Sequence, residues 1–363
     1  MKKIISTITN PALFGVKHSN RDFSKKENWG KNQFNSSFPA ALACFMASES
    51  IDLKYIKINK KLRIEHSFIS TNKLFGKNYN SDNLYFAFER DYAPFQKLVV
   101  GNLPRVDIVT MDSSDGECLR GIEVKLTAMP DNSTCEREES EYSSELVVRP
   151  DTIVYMALSI IVAFENDQVI LKKYFESFYA IKDWTDGINV LPYVSKMIKS
   201  MDNLLSFDED RQSPLVMQPI WKTKGKSAIL DDNCLDIFIW SDFAFTRLFF
   251  DIAKKELKRN KSRISRQVRS VIWLTKMITD YSQNKVVDHK KIIDELSYNT
   301  KNDKAFAVSG RVTHQYLKSK EQRKPRIEKA KIKQIILGGG QSLLSPERRL
   351  DGIIQNTPNL FDN

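Results

Sequence analysis

Three side chains in the first half of the sequence have types and spacing that suit one chemistry. Glu123 and Lys125 stand two positions apart in "RGIEVKLTAMPD", and Asp107 stands upstream of them in "PRVDIVTM". Strand alternation sends Glu123 and Lys125 to one face and Ile122 and Val124 to the other. Between the two apolar stretches lies the turn-rich "DSSDGE" at 112–117, so the pair reads as a hairpin whose strands bring Asp107 alongside Glu123 and Lys125. Two carboxylates at that separation suit a hard divalent cation such as magnesium, which takes oxygen ligands and keeps several waters. A lysine beside them orients or helps deprotonate water, and the cation screens a phosphodiester during in-line displacement. Hydrolysis of a phosphodiester is therefore the chemistry this trio predicts; a salt-bridged surface hairpin is the other reading. A second Glu-x-Lys, Glu256-Leu257-Lys258, sits in a helical context and reads as a solvated face.

The flanking pattern says what must hold these strands. A helix is expected from "FPAALACFMASES", with Pro39 in its first turn, followed by a strand over "LKYIKINKKLRI" at 53–64. "NLYFAFERDYAPF" is ambiguous between strand and short helix. After the acidic stretch "DNSTCEREESEYSSE", the segment "RPDTIVYMALSIIVAF" reads as a buried helix opening near Pro150 and Asp151, and "QVILKKYFESFYAI" as a further strand. "DFAFTRLFFDIAKKELKRNKSRISRQVRSVIWLTKMITDY" supports one long or two consecutive amphipathic helices. The first 37 residues, rich in Asn, Ser, Lys and Arg, read as an ordered arm or loop.

A chain of 363 residues can bury a full core without disulfides or metals. Lysine and arginine outnumber aspartate and glutamate 56 to 45, a formal charge of +11 that favours anionic partners, nucleic acid first among them. Residues 254–269 hold eight basic residues against Glu256, and 318–333 hold eight against Glu321 and Glu328. Cys44, Cys118, Cys135 and Cys234 are dispersed, without the spacing of a zinc or redox motif, and read as reduced thiols. His18, His66, His289 and His314 show no metal-ligand spacing, and Gly338 to Gly340 are not followed by the Lys-Ser/Thr of a phosphate loop. The amino terminus is too short in apolar residues for a signal peptide, and the longest apolar run, "VYMALSIIVAF", falls short of a membrane span. A cytoplasmic protein without membrane insertion is expected.

Asp107 followed by Glu123-Val124-Lys125 resembles the PD and (D/E)xK signature of the restriction-endonuclease-like nucleases, except that the proline, Pro104, is not adjacent to the aspartate. Pro130-Asp131 and Pro150-Asp151 come after the Glu-x-Lys and cannot supply the upstream acid. Longer stretches, "NPALFGVKHSNRDFSKKENWGKNQFNSSFPAAL", "LPRVDIVTMDSSDGECLRGIEVKLTAMPDNST", "VVRPDTIVYMALSI" and "IILGGGQSLLSPERRLDGII", resemble the HindVP/HgiDI family of type II restriction endonucleases. The resemblance implies a magnesium-dependent endonuclease cutting double-stranded DNA at the degenerate palindrome GRCGYC. It makes Asp107 and Glu123 metal ligands and Lys125 the catalytic lysine. Many members of the superfamily add an acid from an upstream helix; Glu89 is the first candidate and Glu49 the second, each with an ordinary surface glutamate as the alternative.

The fold expected is α/β: a restriction-endonuclease-like core with a mixed central sheet flanked by helices, plus a largely helical basic carboxy-terminal region. Its parts are a polar arm at 1–35, the core at 36–200 and the basic region at 201–363, with a soft boundary near 200–230. Phosphate contacts are expected from the basic runs, including Arg263, Arg266, Arg323 and Lys324, against the alternative of solvated helix faces. Base-reading candidates are Asn20, Arg21, Lys31, Asn32 and Gln33, against an ordered structural arm. Arg149 binds a phosphate or orients the site, or else caps or pairs locally. A palindromic target implies a homodimer, for which the apolar 270–278 segment offers an interface or core packing, and a cognate DNA methyltransferase to protect the host's own sites. A structure-specific repair or junction nuclease of the same fold and a non-catalytic DNA-binding protein stay open as rivals.

Overall fold

The computed structural model describes residues 18–20, 31–124, 146–207, 214–218, 221–224, 227–230, 238–259, 263–298, 300 and 305–308. In chain order the elements are α1 (Lys31–Ser48), β1 (Leu53–Ile58), β2 (Ile64–Ile69), α2 (Thr71–Phe75), β3 (Leu84–Arg90), β4 (Val106–Asp112), β5 (Cys118–Val124) and β6 (Leu146–Val148). They continue with α3 (Pro150–Ala163), α4 (Gln168–Phe175), α5 (Gly187–Val190), α6 (Val194–Leu205), β7 (Pro214–Gln218), β8 (Trp221–Lys224), β9 (Ser227–Leu230) and β10 (Phe238–Ser241). The last described are α7 (Asp242–Arg259), α8 (Arg266–Asn284), α9 (His289–Glu295) and β11 (Phe306–Val308).

Seven strands form one mixed sheet in the order β2-β1-β10-β7-β5-β4-β3. β10 runs parallel to β1, and β7 runs parallel to β5, while the remaining neighbours are antiparallel. The sheet's middle strand, β7, comes from beyond residue 200, so the sheet draws on both halves of the chain and the expected soft boundary falls within it. Pairing of β7 with Glu123 and Val124 then buries the end of the Glu-x-Lys strand inside the sheet rather than at an edge.

The core lies between this sheet and a layer of helices. α3 is buried all round from Thr152 to Ile161, as expected for a helix apolar on every side. It packs against α8, whose Val271, Ile272, Trp273, Leu274, Met277 and Ile278 are almost wholly inaccessible. Burial of each such side chain contributes roughly 1.5–3 kcal/mol. The 270–278 segment is therefore core, and its apolar face is used within the chain.

Three local expectations change, and two that stood open are resolved. The 53–64 stretch is a hairpin instead of one strand: Asn59 Oδ1 accepts from the amides of Lys61, at 2.9 Å, and Arg63, at 3.0 Å, folding the chain back into β2. "QVILKKYFESFYAI" forms α4 and a following 3-10 turn instead of a strand, because Leu171, Phe175 and Phe178 recur at helical spacing and all three are buried. α1 starts at Lys31, eight residues ahead of Pro39, so the proline lies inside the helix and Lys31 to Asn35 are helical rather than part of the expected arm or loop. Burial of Pro39, Ala40, Leu42, Ala43 and Met46 offsets the intrahelical bond the proline cannot make. The ambiguous "NLYFAFERDYAPF" divides into β3 and a 3-10 turn at Ala93–Leu98. The long basic segment is two helices, α7 and α8.

Cys44 and Cys118 are free thiols, and burial pushes the Cys44 thiol up to about 12; Cys135 and Cys234 lie outside the described residues, as do Gly338 to Gly340. Among the described residues no helix is long and apolar enough to cross a membrane.

Candidate active site

The β4–β5 hairpin forms where the sequence places it. Its turn is closed by Asp112, whose amide donates to the Glu117 carbonyl at 2.8 Å and whose carbonyl accepts from Gly116 at 2.8 Å. Lys77 and Ser114 hold the Asp112 carboxyl down at about 2. Gly116 has φ 81, the left-handed conformation that favours glycine. Across the strands Ile108 faces Ile122 and Val109 faces Gly121, so one step further along lie Asp107 and Glu123, level with each other on one face. The Val124 amide donates to Asp107 Oδ2 at 2.7 Å, tying the first carboxylate to the strand that carries the second.

Glu123 is only 8 % exposed, although its side chain ends in a carboxyl group. A buried carboxylate needs compensating donors, and Thr152 Oγ1, from the first turn of α3, donates to Glu123 Oε1 at 2.8 Å. That turn also presents the positive end of the helix dipole to the acid's side of the sheet. Three residues on, Tyr155 Oη donates to the Pro104 carbonyl at 2.6 Å and accepts from the Tyr92 amide at 3.1 Å. Burial pushes the Tyr155 hydroxyl well above its ordinary range, so it remains a neutral donor near pH 7. The Tyr92 ring lies over Gly121, where an added Cβ would come to 3.0 Å from it and the ring would have to give by a few tenths of an ångström. Tyr155→Phe removes both hydrogen bonds and is expected to lower stability by about 1–3 kcal/mol. A urea midpoint equal to that of wild type would contradict this bracing.

Glu89 lies between Phe88, which faces Ile108, and Arg90, which faces Val106, and is thus level with Asp107 on the next strand. Its φ of 54 is unusual for a residue other than glycine and breaks the ladder at that rung. Asn20 braces the same place: its side-chain nitrogen donates to the Phe88 carbonyl at 3.0 Å and its side-chain oxygen accepts the Phe88 amide at 2.9 Å. Glu49 is exposed just past the end of α1. Among the described residues no three His, Cys, Asp or Glu side chains gather closely enough to hold a metal by themselves. Asp107 and Glu123 are the pair that the hairpin brings together, and Lys125 lies outside the described residues.

The family model for the HindVP restriction endonuclease matches residues 29–361. The chain is 43% identical to the type II restriction enzyme HgiDI of Herpetosiphon aurantiacus over 356 residues, covering 98% of each chain. It is 42% identical to the probable type II restriction enzyme HindVP of Haemophilus influenzae over 357 residues, covering 97% of this chain and 95% of that one. The chain belongs to the HindVP restriction endonuclease family. The family's matched span takes in Asp107, Glu123, Lys125 and both basic runs. No solved structure matches this HindVP-family chain.

The other residues singled out are dispersed. Lys31, Asn32 and Gln33 form the first turn of α1, and Arg149 is exposed at the N-cap of α3, three residues before Thr152. Arg263 is exposed ahead of α8, and Arg266 is half-buried at that helix's first position. Much of the 254–269 run is committed locally: Lys254 pairs with Asp202 at 2.7 Å, Lys255 with Asp251 at 2.9 Å and Arg259 with Glu256 at 3.3 Å. Arg21, Arg323 and Lys324 lie outside the described residues. Sequence reading missed Thr152, Tyr155, Tyr92 and Gly121 in this HindVP-family chain. A signal was present for two of them, since Thr152, Tyr155 and Ser159 make a polar stripe at helical spacing in the otherwise apolar α3. Each of the three reaches outward: Thr152 to Glu123, Tyr155 to Pro104, and Ser159 to Asp242.

Proposed function

We propose that this chain is a type II site-specific deoxyribonuclease that hydrolyses both strands of duplex DNA at a palindrome, GRCGYC, in a restriction-endonuclease-like core. The observation that carries the reading is the placement of Asp107 and Glu123 one step beyond the Ile108–Ile122 pair of β4 and β5, in a chain that matches a restriction endonuclease family over residues 29–361. Their donor set is two carboxylates, hard oxygen ligands that fit magnesium, an ion that takes its remaining ligands from water and phosphate. When bound there, magnesium supplies screening of the phosphodiester and stabilises the negative charge that develops on it.

The chain's own groups do the rest. Asp107 and Glu123 hold their carboxylates at fixed positions through the Val124 amide and the Thr152 hydroxyl. Lys125 Nζ orients the attacking water and helps take its proton. Water attacks phosphorus as the 3′ oxygen departs, which leaves 5′-phosphate and 3′-hydroxyl ends. Arg263, Arg266, Arg323 and Lys324 contribute phosphate contacts, with Arg149 a further one next to α3. Arg21, Lys31, Asn32 and Gln33 lie in the segment proposed to read bases, while Asn20 is held on the Phe88 backbone, and Glu89, level with Asp107, is the candidate for an additional acid. A homodimer matches the two-fold symmetry of the target, each subunit cutting one strand, and a cognate methyltransferase protects the host's copies in the cytoplasm. Digestion of a plasmid with mapped GRCGYC sites, in magnesium and in chelator, tests this. Discrete fragments of the mapped lengths in magnesium alone are expected. A smear, or cutting confined to branched junctions, would contradict it.

A further inference from the structure

We infer that Thr152, on the first turn of α3, is a positioning residue for Glu123, holding Oε1 so that the carboxylate keeps one orientation toward the site; the inference rests on the function proposed above. Thr152 is 2 % exposed and Glu123 8 %, so the contact between them, 2.8 Å from Oγ1 to Oε1, is made out of water, where a hydrogen bond to a charged group is strong. Three buried threonines of α7 and α8 turn back on their own helix. Thr246 donates to the Asp242 carbonyl, Thr275 to Val271 and Thr279 to Thr275, each four residues earlier. Thr152 instead reaches out of its helix to a strand, and its own amide is already satisfied by the Arg149 carbonyl at 3.2 Å.

The placement suits a positioning role. Pro150 opens α3 directly after the Arg149 N-cap, which fixes where the first turn begins and therefore where the Thr152 hydroxyl falls. Tyr155, one turn on, holds the segment leading into β4 through the Pro104 carbonyl, so a single helical face touches both β5 and the lead into β4. Groups that orient metal-binding carboxylates act on affinity and rate without touching substrate.

The experiment uses the full chain with Thr152→Val, which is isosteric but has no donor, and Thr152→Ser, which keeps the hydroxyl. The valine variant is expected to lower kcat by roughly 10- to 100-fold and to weaken magnesium binding, read by calorimetry, by a similar factor. The serine variant is expected to restore both. If wild type cuts and Glu123→Gln does not, yet Thr152→Val equals wild type in kcat and magnesium affinity, the inference is overturned while the site stands. If Glu123→Gln cuts like wild type, the site itself is wrong and the inference goes with it. Should the valine variant not fold by circular dichroism, Thr152→Ala takes its place, and alanine and serine variants behaving alike would overturn the proposal.

Discussion

Asp107→Asn and Glu123→Gln are each expected to lower the single-turnover rate of duplex cleavage by about 10³-fold, the scale of removing a preorganised charge from a reacting centre. Both substitutions are chosen for what they keep. The asparagine retains an oxygen for the Val124 amide, and the glutamine retains one for Thr152, so the hairpin and its contact with α3 survive while the negative charge is lost. The double variant is expected to be little slower than either single one, because groups that act as a unit are non-additive. Quenched-flow or gel assays under enzyme excess measure this directly. A variant that cuts within a few-fold of wild type would remove its residue from the site.

Arg269→Ala is expected to lower stability by roughly 2–5 kcal/mol, the cost of emptying the space of a large buried side chain and leaving its acceptors without their donor. Arg269 belongs to the 254–269 basic run, yet it is fully buried, lies 4.4 Å over the Trp273 ring, and donates to the carbonyls of Thr300, at 2.8 Å, and Ser297, at 3.4 Å. Its loss leaves those carbonyls without this donor and the Trp273 face without its cation. Arg263, exposed six positions earlier, is expected to behave in the opposite way. Its alanine variant should hold its stability within about 0.5 kcal/mol. The same change should weaken duplex binding and reduce the steepness of its salt dependence by roughly one counterion. Urea denaturation alongside binding at several salt concentrations separates the two. An Arg269→Ala protein as stable as wild type but weaker in DNA binding would show that charge counting along the run was right and burial irrelevant.

The contrast between these two arginines shows what the sequence carried and what it did not. Periodicity made the hairpin legible: "PRVDIVTM" and "CLRGIEV" alternate, "DSSDGE" can only turn, and Asp107 came out level with Glu123 as expected. The buried helix after it was legible for the same reason. What periodicity cannot supply is the third dimension. Local pattern gave no sign that β7 and β10 would enter the middle of the sheet from beyond residue 200, since strand order is settled by long-range pairing. Nor did the run of charges around 254–269 reveal that Arg269 turns inward to Trp273 while its neighbours form ion pairs at the surface. Thr152 was hidden by its type, because a threonine in an apolar helix looks like a tolerated core residue until the carboxylate it serves is seen beside it. The strand expected at "QVILKKYFESFYAI" failed because Leu171, Phe175 and Phe178 fit a helical stripe better than an alternating one.

The most direct test of the site is metal binding in the absence of turnover. Calorimetric titration of magnesium into the full chain, compared with the Asp107→Asn, Glu123→Gln double variant, isolates the pair of carboxylates on β4 and β5. Saturable binding to wild type that disappears in the folded double variant is the predicted result; superimposable isotherms for the two proteins would contradict it.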